Sequence, residues 1–185
     1  MKFTLSVVLC TLALSATAAP TGTQTATAAT TSSTSSVAPS TLVQFQLIDT
    51  DLCIAGTGTT VGAQFTLESC GSELTTFDLP GGAPTGPTQL VLNSTISSGE
   101  PISCVNARDV AANGAVFLDV CEDDAFERWR VVGGSGTGPI INVGTPADEG
   151  TFCLTVATID AGSPIIFSSC TGGLAQEWVT LIETD

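Results

Sequence analysis

The chain has 185 residues, with 19 Gly, 9 Pro, 7 Cys and neither His nor Tyr, and its formal net charge is −14 at pH 7. With 4 Lys and Arg against 18 Asp and Glu, it lacks the cations that neutralise phosphates, which excludes nucleic acid as a partner. The absence of His excludes Ser-His-Asp and Cys-His catalysis, so we predict that the protein is not an enzyme.

The N-terminus has the pattern of a secretory signal. Lys2 precedes an apolar run from Phe3 to Leu14, and Ala16-Thr17-Ala18 provides small residues for cleavage. The apolar run is about 12 residues long, against the roughly 20 that a membrane-spanning helix requires. We therefore predict a signal peptide at residues 1–18, a secreted, extracellular mature protein and no membrane span.

A segment rich in Ser and Thr follows the signal. Most positions from Pro20 to Thr41 hold Ser or Thr, and none of them is charged or aromatic. Such a segment cannot bury a core, and it is typical of an O-glycosylated stalk or a plain flexible linker. We predict a disordered linker at residues 19–41 and a folded domain at residues 42–183.

Six cysteines remain once Cys10 leaves with the signal, and they form three pairs with the same spacing. Each pair is separated by 17 positions, at residues 53 and 70, 104 and 121, and 153 and 170. Six cysteines allow 15 pairings, but a repeated spacing favours one bond inside each of three equivalent units. The predicted disulfides are Cys53–Cys70, Cys104–Cys121 and Cys153–Cys170. With every mature cysteine assigned, zinc-thiolate sites are excluded, and we predict neither metal nor cofactor.

The residues between the paired cysteines also repeat. In each segment, two apolar positions shortly before the second cysteine alternate with other residues, which indicates a strand with one buried face. A Gly or Asn lies midway in each segment (Gly62, Asn113 and Gly162), as in a turn between two strands. Short apolar runs separated by Gly and Pro continue through the chain, and no amphipathic helical pattern is present. We therefore predict an all-β domain of three repeats, each about 50 residues long, which is within the usual range of repeat periods.

Aromatic residues follow the second cysteine of each repeat in the pattern of a known motif. Repeat three has Gln176-Glu177-Trp178, repeat two has Glu127-Arg128-Trp129, and repeat one has the weaker Thr75-Thr76-Phe77. Together with the paired cysteines, these residues resemble the ricin B-type lectin domain, which has three repeats that each end in Gln-x-Trp. The resemblance implies a β-trefoil. It also implies a structural role for Trp129, Gln176 and Trp178 as core anchors and strand bridges.

The same resemblance identifies three positions where a sugar pocket of this family would lie. The family has an Asp two residues after the first cysteine, an aromatic residue two before the second, and an Asn just before the motif. This chain departs from that pattern in every repeat: the positions hold Ala55, Asn106 and Thr155, then Glu68, Asp119 and Ser168, then Leu74, Phe126 and Ala175. Repeat two keeps the most polar set, so the predicted carbohydrate-binding residues are Asn106, Asp109, Asp119 and Glu127.

These observations predict a secreted, lectin-like protein with a degenerate sugar pocket, whose partners are glycans or glycoproteins. The alternative is a β-trefoil that does not bind sugar, such as a secreted protease inhibitor or effector. Asn93-Ser94-Thr95 is an N-glycosylation sequon, so Asn93 is a predicted modification site. The acidic run Glu122-Asp123-Asp124 is typical of a solvated turn rather than a calcium site, because no spaced ligand loop accompanies it.

Overall fold

The computed structural model describes residues 35–184, so the predicted signal peptide at residues 1–18 and residues 19–34 of the predicted linker lie outside the described residues. The strands are β1 (Thr41–Leu47), β2 (Leu52–Gly56), β3 (Phe65–Ser69), β4 (Phe77–Leu79), β5 (Thr88–Gln89), β6 (Val91–Leu92), β7 (Ser103–Asn106), β8 (Gly114–Ala115), β9 (Phe117–Val120), β10 (Arg128–Val131), β11 (Thr137–Gly138), β12 (Ile140–Asn142), β13 (Phe152–Val156), β14 (Ile165–Ser169) and β15 (Trp178–Ile182). The helix α1 is Asn93–Ser98, and short 3₁₀ turns span Glu73–Thr75, Ala125–Glu127 and Leu174–Gln176. In the described part of the chain, no helix is long and apolar enough to cross a membrane.

Residues before 42 already contact the folded domain, although the sequence predicts that the linker extends to residue 41 and the domain begins at residue 42. Val37 is buried and pairs with Ala83 through two backbone hydrogen bonds of 2.8 and 3.0 Å. Thr41 is the first residue of β1 and pairs with Leu79. A single large apolar residue within a Ser- and Thr-rich stretch is a weak sequence signal, although Val37 attaches this segment to the domain.

Six strand positions close into a barrel. β1 pairs with β4 and β15, and β4 pairs with β6. β5 is separated from β6 only by Leu90 and pairs with β10, which in turn pairs with β12. β11 is separated from β12 only by Pro139 and pairs with β15, which completes the ring. Each barrel strand between residues 41 and 182 therefore has two neighbours, and the ring has no open edge.

Three hairpins extend from the barrel, one in each repeat: β2–β3, β7–β9 and β13–β14. Each is attached to the barrel at its first cysteine, by the pairs Gln46–Cys53, Val91–Cys104 and Ile141–Cys153. The hairpins also bond to one another in a cycle. The backbone N–H groups of Gly62, Asn113 and Gly162 donate to the carbonyls of Leu118, Phe167 and Leu67, each at 2.7 Å.

The turn residues at the hairpin tips explain the midway Gly or Asn in each repeat. Gly62, Asn113 and Gly162 have φ angles of 89°, 67° and 81°, in the left-handed region that Gly and Asn adopt most readily. Each turn points its N–H at the hairpin of another repeat, so the local sequence and the threefold packing require the same backbone. The closed barrel and the three mutually bonded hairpins make the domain a β-trefoil, which confirms the predicted fold.

The three predicted disulfides are present, one within each repeat. Cys53, Cys104 and Cys153 lie on the first strand of each hairpin and are completely buried. Their partners follow directly after the second strand, so each bond closes the base of its own hairpin. A disulfide that closes a loop of this size stabilises the folded state by about 3 kcal/mol, because it lowers the entropy of the unfolded chain.

All three repeats contribute to one hydrophobic core. Trp129 and Trp178 are buried, and their Nε1 atoms donate to the carbonyls of Val105 at 2.9 Å and Leu154 at 3.0 Å. Phe77, the equivalent residue in repeat one, is also buried and packs against Phe45 and Phe65, with ring centroids 5.7 and 6.1 Å away. Both tryptophans thus satisfy their polar atom inside the core, as buried indoles generally do.

Candidate functional site

The glutamine of the Gln-x-Trp motif in repeat three ties the end of its hairpin together. Gln176 is buried, and its Oε1 accepts hydrogen bonds from the backbone N–H groups of Thr171 at 2.6 Å and Gly172 at 3.3 Å. Its Nε2 donates to Thr155 Oγ1 and to the Ser169 carbonyl, both at 2.8 Å. The amide therefore uses its acceptor on one side and both donors on the other.

Repeat two has a glutamate at the equivalent position, and the hydrogen bonds around it differ. Glu127 is completely buried. Its Oε2 accepts from the Glu122 N–H at 2.9 Å and from Gln89 Nε2 at 3.2 Å, and its Oε1 accepts from Asn106 Nδ2 at 3.2 Å. Three donors converge on this side chain, and a carboxylate offers acceptor atoms on both sides.

Three of the four predicted sugar-binding residues belong to this network. Asn106 is completely buried, and its Nδ2 also donates to Asp119 Oδ2 at 3.3 Å. Its Oδ1 accepts from the Arg108 N–H at 2.6 Å, which fixes the start of the loop that follows β7. Asp119 is half-buried, and its Oδ1 accepts from the Val120 N–H at 2.9 Å. The structure therefore joins Asn106, Asp119 and Glu127 into one hydrogen-bonded cluster.

The fourth predicted residue, Asp109, lies apart from this cluster. It is exposed, with a φ of 59°, on the loop after β7. Within residues 35–184 its carboxylate makes no hydrogen bond to another side chain and no ion pair. Asp109 instead lines a cavity between repeats two and three, and its carboxylate is free to accept hydrogen bonds from a ligand.

This aromatic cavity, as we call it below, has a volume of about 320 Å³. Phe126 of repeat two and Phe152 and Phe167 of repeat three form its apolar part, the last two with stacked rings 4.7 Å apart. Asp109, Thr145 and Glu149 supply its polar side chains, and the loop at 107–112 forms one wall. Its volume and its combination of aromatic rings with a few polar groups are typical of a small-molecule site.

The three phenylalanines of the aromatic cavity break the threefold symmetry of the domain. The position of Phe152, one residue before the first cysteine, holds Leu52 in repeat one and Ser103 in repeat two. The position of Phe167 holds Leu67 and Leu118, and that of Phe126 holds Leu74 and Ala175. The fold therefore forms without aromatic residues at these positions in the other repeats. Phe167 belongs to the hydrophobic core, where it packs against Trp129, whereas Phe126 and Phe152 are half-buried and line the cavity.

In repeat one, where the motif glutamine is absent, a glutamine from outside the motif makes the equivalent hydrogen bond. Thr75 is buried, and its short side chain donates to the carbonyl of Ser72 at 2.7 Å. Gln44 on β1 takes over: its Oε1 accepts from the Gly71 N–H at 3.0 Å, and its Nε2 donates to Glu183. Gln89 occupies the same place relative to its hairpin in repeat two. In both repeats the glutamine lies two residues before the barrel residue that pairs with the first cysteine. This shared position is the sequence signal that could have revealed the role of Gln44.

The acidic run after Cys121 is largely paired with arginines. Arg108 contacts Asp124 at 2.8 Å and Glu122 at 3.5 Å, and Arg128 pairs with Asp123. Asp124 Oδ1 also accepts from the Phe126 N–H at 2.7 Å, which caps the 3₁₀ turn that precedes β10. The run thus stabilises the turn leading to Glu127, and two of its three carboxylates are engaged by close arginine contacts.

Repeats one and three offer little at the positions of the sugar-binding pattern. Ala55 is buried and has no polar side chain. Thr155 in repeat three accepts from Gln176, and Ser168 donates to Asn113 Oδ1 at 2.7 Å. Both hydroxyls are therefore already used inside the domain.

The sequon at Asn93 begins α1, beside a separate cavity of about 260 Å³. Asn93 is half-buried, whereas Thr95 is completely buried. Thr95 Oγ1 donates to the Leu92 carbonyl at 2.7 Å and accepts from the Ser103 N–H at 3.1 Å. The hydroxyl that an N-glycosylation enzyme must read is thus inside the folded domain, so we expect any modification of Asn93 to precede folding.

Comparison with known proteins identifies the fold. No protein-family model matches the chain, and no curated protein matches its sequence. The designed three-fold symmetric protein ThreeFoil superposes with a TM-score of 0.63 at 16% identity, covering 76% of this chain and 97% of ThreeFoil. The chain has a β-trefoil fold.

Two natural lectins show the same similarity. The β-trefoil lectin of the Vibrio vulnificus hemolysin/cytolysin, solved with N-acetyl-D-lactosamine bound, has a TM-score of 0.58 at 15% identity, over 80% of this chain and 98% of that one. The C-half of the earthworm R-type lectin, in complex with GalNAc, has a TM-score of 0.55 at 12% identity, over 77% and 99%. At these identities the similarity establishes the fold and assigns no pocket.

Proposed function

We propose that the chain is a secreted carbohydrate-binding protein without enzymatic activity, and that it binds glycans or glycoproteins at the boundary of repeats two and three. The observation that carries the proposal is the aromatic cavity, where the half-buried rings of Phe126 and Phe152 lie beside the free carboxylate of Asp109. A pyranose has one apolar face and a rim of hydroxyls, so it needs this combination of stacking surface and hydrogen-bond acceptors. Three disulfides in one small domain are compatible with secretion.

The cluster around Asn106 contributes to this role indirectly, by holding the loop that carries Asp109. Asn106 and Glu127 are completely buried, so a sugar cannot contact them without a rearrangement of the domain. Asn106 Oδ1 holds the Arg108 N–H, and this hydrogen bond orients the loop that carries Asp109. In this proposal Asp109 faces the sugar. Asp119 does not line the aromatic cavity, and together with the buried Asn106 and Glu127 it belongs to the hydrogen-bonded cluster beside the loop that carries Asp109.

A glycan array with the mature domain, at neutral and mildly acidic pH, tests whether any sugar binds. Phe152→Leu and Phe126→Ala then test the site, since Leu52 and Ala175 occupy the equivalent positions in other repeats and the fold tolerates them. We expect each variant to fold normally and to bind roughly tenfold more weakly, because a stacking ring is lost.

The matched control is Leu74→Ala, which makes the same kind of change at the position of Phe126 in repeat one. We expect unchanged glycan binding from this variant. If the wild-type domain binds no glycan on the array, the proposal is wrong, and a β-trefoil inhibitor or effector is favoured instead. Binding that survives both phenylalanine substitutions would move the site to another part of the domain.

A further inference from the structure

The charge distribution around the aromatic cavity carries an inference about ligand class, which rests on the proposed carbohydrate-binding function. Asp109 and Glu149 are exposed side chains of the cavity, and no Lys or Arg is among its lining residues. Of the three arginines in residues 35–184, Arg108 and Arg128 are paired with acidic side chains. The full chain carries a net charge of −14. A ligand approaching the cavity therefore meets a negative potential that no lining cation offsets.

This potential divides glycans into two groups. Sialylated, sulfated or uronic-acid glycans bring further negative charge to a site with two carboxylates, and they are disfavoured. A protonated amine on the sugar ring is favoured, because ammonium groups form strong hydrogen bonds with carboxylates. The faces of Phe126 and Phe152 add to the same preference, since aromatic rings attract ammonium groups through their quadrupoles.

We infer that the aromatic cavity between repeats two and three selects amino sugars, in which the ring amine is free and protonated rather than acetylated. The ring packs on Phe126 and Phe152, and the ammonium group lies toward Asp109 and Glu149. Acetylation of the amine removes the charge and adds bulk, so the N-acetylated form of the same sugar binds less tightly.

Calorimetry with a glucosamine tetrasaccharide and its fully N-acetylated counterpart, at mildly acidic pH, tests this inference. We expect the free-amine form to bind roughly tenfold more tightly, a ratio consistent with one additional charged hydrogen bond. Raising the ionic strength should reduce the preference, because the cavity carboxylates are exposed and screened by salt. The double variant Asp109→Asn with Glu149→Gln should remove most of the preference and leave the N-acetylated form nearly unaffected.

The matched control is Glu100→Gln with Asp160→Asn, which removes the same charge from exposed residues outside the aromatic cavity. This control should keep the preference. Equal loss in both double variants would overturn the inference, because it would show attraction by the overall charge alone. Equal binding of both tetrasaccharides that Phe152→Leu weakens would overturn the amine preference but keep the proposed function. If neither tetrasaccharide binds and the glycan array shows no binding, both the amine preference and the proposed carbohydrate-binding function are wrong.

Discussion

Glu127 and Gln176 occupy equivalent positions in repeats two and three, and their hydrogen-bond partners explain why the residues differ. In repeat three, Gln176 Nε2 needs an acceptor and finds it in Thr155 Oγ1. In repeat two the same place holds Asn106, whose Nδ2 is itself a donor to Glu127. Asn106 cannot simply turn its amide over, because its Oδ1 already accepts from the Arg108 N–H. The motif residue and its hydrogen-bond partner are therefore matched within each repeat, as Glu127 with Asn106 and Gln176 with Thr155.

Restoring the motif glutamine in repeat two alone should destabilise the protein. In Glu127→Gln an N–H₂ group would face the donor of Asn106 inside the core, and an unsatisfied buried donor costs about 1–3 kcal/mol. For a domain of this size, we expect the melting temperature to fall by about 2–4 °C for each kcal/mol. Thermal unfolding followed by circular dichroism measures the change.

A second substitution tests the explanation. Asn106→Thr combined with Glu127→Gln reproduces the pair found in repeat three, and it should recover part of the lost stability. Glu100→Gln, on an exposed residue, is the control and should leave the melting temperature unchanged. Strictly additive losses in the double variant would contradict the matched-pair explanation.

Asp78 on β4 gives the protein a pH-dependent weakness. Its Oδ1 is buried without a hydrogen-bond partner, and burial raises the pKa of the carboxyl above its usual value, although the hydrogen bond from the Leu79 backbone opposes the shift. A raised folded-state pKa means that the folded state binds the proton more tightly than the unfolded state. This group therefore destabilises the fold at neutral pH. The penalty shrinks as the pH falls through the folded-state pKa, and it is gone below the lower pKa of the unfolded chain.

Asp78→Asn should raise the melting temperature at neutral pH and have little effect at pH values below the ordinary pKa of an aspartate, where the folded and unfolded states are both protonated. Melting curves recorded across the acidic range, for this variant and for the exposed Asp160→Asn, separate the contribution of Asp78 from general charge effects. A constant difference at every pH would show that the ionisation of Asp78 is not the cause.

Among the structural elements, the three hairpins depend on left-handed turns at their tips. Gly62 has a φ of 89°, and a Cβ added there would meet nothing within 4 Å. Gly62→Ala therefore tests backbone conformation without a steric clash, and it should cost about 1–2 kcal/mol. Gly86 also has open space around it but does not have a left-handed φ, so Gly86→Ala is the control. We expect denaturant unfolding to show a loss for the first variant and nearly none for the second.

The hairpins were predictable because their requirements are local. The cysteine spacing, the alternating apolar positions and the midway Gly or Asn all lie within a single hairpin, and each copy repeats the signal. The barrel ring was implied only by the family resemblance. β5 and β6, like β11 and β12, are two- or three-residue strands that no periodicity could reveal.

The candidate site was less predictable because it depends on contacts between distant residues. Gln44 replaces a motif residue that lies two strands further along the chain, and only comparison with Gln89 at the equivalent place in repeat two indicates the exchange. The aromatic cavity joins Phe126 to Phe152 and Phe167 across two repeats, and its members look like ordinary core residues in the sequence. The polar pattern of repeat two indicates Asp109, but the separation of this residue from the buried cluster follows from the left-handed turn at its own position.

For the whole molecule, a shared core predicts that three repeats unfold as one unit. Trp129 belongs to repeat two and Trp178 to repeat three, and both are buried in the same hydrophobic cluster. Variants with a single tryptophan, Trp129→Phe or Trp178→Phe, should therefore report the same fluorescence midpoint in denaturant as circular dichroism reports for the backbone. A fluorescence midpoint that differs from the circular dichroism midpoint of the same variant would show that the repeats unfold independently.

Removing one disulfide extends this test. The double variant Cys104→Ala with Cys121→Ala opens only the hairpin of repeat two, and it should lower the stability of the whole domain by about 3 kcal/mol. Because the core is shared, the remaining tryptophan signals should still change together, at a lower denaturant concentration. Survival of repeats one and three after repeat two has melted would contradict a single core.

The cycle of hydrogen bonds at the hairpin tips also limits how such a chain can change over time. Solenoid proteins gain and lose copies easily, since each unit touches only its immediate neighbours. Here the tip of the third copy bonds to the first, so an inserted fourth copy would have to break both this cycle and the barrel. A duplication inside the gene would therefore leave an unpaired unit, whereas longer connecting loops would cost little. Among descendants of this chain, loop length should vary and the number three should not.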